Sequence, residues 1–389
     1  MKFEEILKTY FDFTDQDIKD KSSVLSHAYI VDIDKILAKT NFYMNEFNLT
    51  KQEFIKIIKK QPTLLNLSEE GIKAKTNFYR LKLNLNKQQF IKMLKSCPAV
   101  LAFSEENIES KTNFYKKEFR LSDDEFVKII KTAPTLFAFT EESIIAKKEF
   151  YIKEFDLTEQ EFIKLIKISP SLLIYSEESV KTKLDFYLQE LGLNKFEFVK
   201  MLKTQPSLLD YSESSIKSKV EFYMQELNMN KQEFVQMLKS VPVLLGLSEQ
   251  SLREKFKQIK ELGIPKEFIM SSPMILIVPQ NTLKIRYLIL RQVATREEIF
   301  TKNWYTTNQN KIYARVKFLT TEVKNKKILS NCLRGEQEFC ARFKITSEEL
   351  MNKYALTTDV IAKMLENIED EEIYFNADEE EYLKQEYGV

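Results

Sequence analysis

The chain has 389 residues, 43% hydrophobic and 30% charged, with only 6 Gly and 9 Pro and a formal net charge of +1. This composition supports a folded core and argues against disorder as the default, and no run of 18 apolar residues offers a membrane span. The charge is polarised: residues 366–389 hold ten acids against Lys384, so this acidic tail is −9 and the body before it +10. Cys97, Cys332 and Cys340 are irregularly spaced and form no C-x-x-C pair, which points to a reducing compartment. The opening MKFEEILKTYFDF has no h-region and carries Glu4, Glu5 and Asp12, so no secretory or transit segment is expected. The expectation is a soluble intracellular protein of the cytoplasm or nucleoid, or of an organelle matrix after loss of a presequence.

Prolines at 62, 98, 134, 170, 206 and 242 stand at a strict spacing of 36 residues. A fixed period of this length signals a solenoid of helical units, which overrides a domain count from length. With the proline as position 0, apolar pairs follow at +2 and +3 (Leu64-Leu65 to Leu244-Leu245). Ser or Thr stands at +6 with acids behind it, as in Ser68-Glu69-Glu70. The hydroxyl caps free N–H groups and the acids complement the helix dipole, so a first helix, A, starts here and runs past Phe-Tyr at +16 and +17. A capping box starts helix B at +24: Thr50 with Glu53, Asn86 with Gln89, Ser122 with Glu125, Thr158 with Glu161, Asn194 with Glu197 and Asn230 with Glu233. Helix B places Phe at +28 and apolar residues at +31 and +32 on one face, and the next proline stops it. The P-x-L-L segment is expected to form one 3₁₀ turn.

The expected architecture is therefore all-α, a curved superhelical solenoid of about 36-residue helix-loop-helix-turn repeats. Residues 1–25 form an amino-terminal capping half-repeat, in which FTDQDI matches the start of a helix B. Residues 26–272 hold the regular repeats, 273–365 diverged helical repeats, and 366–389 the acidic tail.

Three lysine sets recur. Lys56, Lys92, Lys128, Lys164 and Lys200 stand at +30; Lys59, Lys95, Lys131, Lys167, Lys203 and Lys239 stand at +33. With Phe at +28 set to 0°, +31 and +32 fall at about 300° and 40°, whereas +30 and +33 fall at about 200° and 140°. Both sets face away from the core and, in stacked units, would form two positive stripes suited to phosphate. The competing reading is a solvated face. The +13 set (Lys39, Lys75, Lys111, Lys147, Lys183, Lys219 and Lys255) borders the core, so its stems should pack while the ammonium reaches helix-end carbonyls or the acid at +20. The Phe-Tyr pairs are expected in the inter-repeat core rather than as a stacking platform for bases. Arg286, Arg291, Arg315 and Arg342 lie late in the chain and are candidate phosphate contacts. Variation at +4 could carry selectivity. The single His27 reads as a surface or capping residue, and the near absence of Gly leaves no phosphate-binding loop, so neither catalysis, a cofactor nor a metal is expected.

The P-x-L-L turn, the S-E-E-x-I-x-x-K-x-x-F-Y helix, the L-G-L or L-N-M connection and the F-V-K-M-L-K helix together resemble the mitochondrial transcription termination factor (mTERF) family. NKIYARVKFL, Asn310 to Leu319, looks like a late repeat of that family, and the resemblance covers roughly residues 13–320. It implies a left-handed solenoid that binds nucleic acid, double-stranded DNA first and RNA second, and regulates transcription or a related genome transaction by occupancy. Candidate contacts are then the +30 and +33 lysines with Arg286, Arg291 and Arg315, in a protein expected to be monomeric. The rival expectation is an α-solenoid protein-interaction scaffold, with the acidic tail as a second place for a protein partner.

Overall fold

The computed structural model describes residues 3–20, 32–324 and 327–370, with side chains through residue 365. His27 and Ser26, and the tail from residue 371, lie outside the described residues. Among the described residues all regular structure is helical. The helices are α1 (Phe3–Phe11), α2 (Asp15–Asp20), α3 (Ile33–Phe47), α4 (Lys51–Lys60), α5 (Glu69–Lys82), α6 (Lys87–Ser96), α7 (Glu105–Glu118) and α8 (Asp123–Thr132). They continue as α9 (Glu141–Phe155), α10 (Glu159–Ile168), α11 (Glu177–Glu190), α12 (Lys195–Thr204), α13 (Glu213–Glu226), α14 (Lys231–Ser240), α15 (Glu249–Glu261) and α16 (Lys266–Ser271). The remainder are α17 (Gln280–Arg291), α18 (Arg296–Phe300), α19 (Gln309–Thr321), α20 (Ile328–Cys332), α21 (Glu336–Phe343), α22 (Ser347–Lys353) and α23 (Thr358–Asp370). The chain divides into two compact units, residues 1–184 and 185–389.

Each repeat is built by local rules. All six capping boxes form; in α10, for example, Thr158 Oγ1 accepts from Glu161 N at 3.2 Å and Glu161 Oε2 accepts from Thr158 N at 2.9 Å. The same device starts α18 at Thr295 and α22 at Thr346, and Thr14 and Asp17 reproduce it at α2. Helix A ends on a residue in the left-handed region at +22: Asn48, Asn84, Arg120, Asp156, Gly192 and Asn228. The amide after it closes a six-residue loop onto the helix, as Leu85 N does onto Arg80 O at 2.8 Å, and its side chain is buried. The prolines start 3₁₀ turns such as Pro62–Asn66 and Pro134–Ala138, with the preceding residue extended (Gln61 φ −141°, ψ 79°) as proline requires.

Within each unit, successive repeats are tied by buried polar contacts as well as apolar packing. In four repeats the Tyr at +17 donates to the +2 carbonyl of the next turn: Tyr43 to Leu64 O (3.1 Å), Tyr115 to Leu136 O (2.8 Å), Tyr187 to Leu208 O (2.8 Å) and Tyr223 to Leu244 O (3.2 Å). Phe at +16 is only half-buried in most repeats, so the Phe-Tyr pair divides: Tyr enters the core and Phe lines its edge. A cation at +11 of the following repeat covers that ring, as Lys73 does Phe42, Lys181 Phe150 and Lys217 Phe186.

Candidate nucleic-acid interface

The three lysine sets have different surroundings. In the +13 set the ammonium reaches the turn of the next repeat. Lys39 donates to Leu65 O at 2.8 Å, and Lys75 to Leu101 O at 2.7 Å and Phe103 O at 2.9 Å. Lys111, Lys147, Lys219 and Lys255 donate to the carbonyls of Phe139, Tyr175, Leu245 and Val278. Burial holds Lys39, Lys75, Lys111, Lys147 and Lys219 below the usual lysine range and pushes Lys255 down to about 8. These cations satisfy carbonyls at repeat junctions, the carbonyl half of the expectation; of the +20 acids, Glu118, Glu190 and Glu226 meet Lys148, Lys231 and Lys260.

The +33 set departs from the expected open stripe. Lys59 meets Asp17 (2.9 Å), Lys95 meets Glu53 (2.7 Å), Lys167 meets Glu125 (2.7 Å) and Lys239 meets Glu197 (2.9 Å), each across 42 residues. The acceptor is in every case the acid of the previous helix B capping box, so one carboxylate serves both its own helix start and the ammonium of the next repeat. The partner lysine and the backbone N–H of the cap hold Glu53, Glu125 and Glu197 below the usual carboxylate range. At Asp17 the Thr14 N–H contributes most and Lys59 next, bringing it to about 2. The four lysine side chains are only 25–38% exposed. The reason lies on the wheel: +33 is about 40° from +29, which is buried as Ile55, Ile91, Ile163 and Val235, whereas +30 is about 100° from it. Lys131 is the exception, because Gln89 occupies the acid's place; its Nζ reaches only Asn84 O at 3.4 Å. Lys203 lies exposed on α12.

The +30 set remains open. Lys56, Lys92, Lys128 and Lys164 in the first unit, and Lys200 in the second, are exposed and form no ion pair among the described residues. Within the first unit they sit on consecutive B helices, α4, α6, α8 and α10. Packed helices lie about 8–10 Å apart, which sets the interval between successive charges.

The expected arginine contacts require correction. Arg315 is 2% exposed; its Nη1 donates to Cys332 O at 3.1 Å and Arg334 O at 2.7 Å, and its guanidinium lies 4.5 Å from the Phe339 ring centroid. Arg286 is half-buried and donates to Tyr305 O. Burial lowers the pKa of both. They play the role of the +13 lysines in the diverged repeats, tying helix A to the next turn. The signal was present, since Pro273 plus 13 is Arg286. Arg291 is exposed at the end of α17 and bonds Ala294 O at 3.1 Å, and Arg342 is exposed on α21.

Among the described residues no helix is long and apolar enough to cross a membrane. A family model, mTERF, matches residues 2–193 and again 187–293. No curated protein matches the chain.

Proposed function

Because the chain belongs to the mTERF family, a family of helical repeat proteins, we propose that it binds nucleic acid, duplex DNA before RNA, on the surface of its B helices and regulates transcription or a related genome transaction by occupancy rather than by catalysis. The observation that carries this reading is the row Lys56, Lys92, Lys128 and Lys164, one exposed cation per repeat without a carboxylate to neutralise it. The structural lysines of this fold have partners, as Lys39, Lys75, Lys111, Lys147, Lys219 and Lys255 of the +13 set and Lys59, Lys95, Lys167 and Lys239 of the +33 set do. A cation repeated without one is placed for a partner outside the chain, and evenly spaced ammonium groups match a polyphosphate better than a single anion. Such contacts position a duplex without reading its sequence, so selectivity would come from shape and deformability. The test is fluorescence anisotropy with duplex DNA, single-stranded DNA and RNA at 50 to 200 mM salt. Four phosphate contacts predict a loss of about two orders of magnitude in affinity over that range. Absence of binding at low salt, or affinity indifferent to salt, would refute the proposal and favour a protein-interaction scaffold.

A further inference from the structure

In the repeated pairing of the +33 lysines with the preceding capping box, one position is broken. Asp17, Glu53, Glu125 and Glu197 each neutralise the lysine 42 residues on. At the corresponding place α6 carries Gln89, whose amide completes its own capping box (Asn86 N to Gln89 Oε1, 3.0 Å; Gln89 N to Asn86 Oδ1, 2.9 Å) and brings no charge. Among the described residues Lys131 therefore forms no ion pair, and its Nζ reaches the exposed Asn84 carbonyl. It lies three residues beyond Lys128 on α8, so the two ammonium groups leave one helix face together. The adjoining helix α6, KQQFIKMLKS, contains no acid and presents the exposed Lys92. Here a position that is paired in other repeats lacks its carboxylate.

We infer that Lys131, together with Lys92 and Lys128, is the principal phosphate-holding point of the B-helix surface, created by Gln89 standing where other repeats supply an acid. This rests on the nucleic-acid reading above and adds to it which residues anchor the backbone. Two lysines without an ion pair among the described residues share α8 here, with Lys92 on the adjoining α6, whereas elsewhere in the first unit the +30 lysine stands beside a +33 lysine that is already neutralised, as Lys56 does beside Lys59 and Lys164 beside Lys167.

The test restores the missing acid. Gln89→Glu keeps the capping box, which accepts Glu as readily as Gln, and supplies Lys131 with a partner. The variant is expected to unfold about 1–3 °C higher, and to bind duplex DNA with the slope of log affinity against log salt reduced by about 1. Lys131→Gln should reduce the slope by the same amount, and in the Gln89→Glu background should reduce it no further. Gln88→Glu, which adds the same charge at the exposed neighbouring position, is the control and should reduce it less. Equal effects of Gln88→Glu and Gln89→Glu, or an unchanged slope in Lys131→Gln, would overturn the assignment while binding by the unaltered protein upheld the broader reading. Failure of the unaltered protein to bind would overturn both.

Discussion

Replacing Tyr115 and Tyr79 by Phe separates a buried hydroxyl that ties two repeats from one that does not. Both side chains are 1% exposed, both occupy +17, and burial raises the pKa of both. Tyr115 donates to Leu136 O at 2.8 Å, whereas the Tyr79 hydroxyl has no hydrogen-bond partner. The difference follows from the turn each faces. Pro134–Ala138 closes with Phe139 N bonded to Leu136 O at 3.2 Å, while Pro98–Leu101 closes one residue earlier, with Ala102 N bonded to Ala99 O at 2.8 Å. Tyr115→Phe removes one buried hydrogen bond but leaves Leu136 O with its Phe139 bond, so the cost is the net value of one bond, about 1 kcal/mol. Tyr79→Phe removes a hydroxyl already desolvated without compensation, so it should be neutral or stabilising by up to about 1 kcal/mol. The pair should therefore differ by about 1–2 kcal/mol with opposite tendencies, although the chemical change is identical. Because repeat arrays open unit by unit, the assay is denaturant midpoint together with amide exchange of α5 and α7. Equal destabilisation by both substitutions would refute the reasoning.

The buried Lys255 sets a pH dependence. Its pKa falls to about 8 in the folded chain against 10.5 when unfolded, so the unfolded state holds more protons between these values and stability rises with pH across that window. The gain is about 3 kcal/mol at most, and Lys255→Met should flatten that part of the profile in pH-resolved denaturation. The Lys167–Glu125 pair should show a coupling in a double-mutant cycle that shrinks at high salt and disappears as pH falls through the depressed carboxylate pKa, since this group's contribution is present above its unfolded value of 4.5. Arg315→Ala leaves the carbonyls of Cys332 and Arg334 without their donor; it should cost about 2–4 kcal/mol by calorimetry and leave the salt slope of nucleic-acid binding unchanged.

The repeat frame, the capping boxes, the 3₁₀ turn and the helix boundaries were legible because each depends on residues within one repeat. The proline at 0, the hydroxyl at +6 and the Glu or Gln at +27 act on backbone a few residues away, and the six copies average out local noise. The division of the lysines was less legible because it depends on contacts between repeats. A wheel placed +30 and +33 on one polar face, yet the turn of about 60° between them decides whether the ammonium meets solvent or the previous capping acid. The acid and lysine columns do stand in phase at 42 residues, so charge complementarity between columns carried the signal. Arg286 escaped because the shortened repeat after Pro242 interrupted the count, and Arg315 because no proline marks its repeat.

The most direct measurement compares two variants of equal net charge change. One replaces Lys56, Lys92, Lys128 and Lys164 by Gln; the other replaces the paired Lys59, Lys95, Lys167 and Lys239. Binding to duplex DNA across the salt range should lose about 3 to 4 units of log–log slope in the first variant, with little change in unfolding midpoint. The second should unfold at lower temperature and keep most of its slope. An equal loss of slope in both, or a first variant that binds as the unaltered chain does, would contradict the claim that the unpaired lysines form the binding surface.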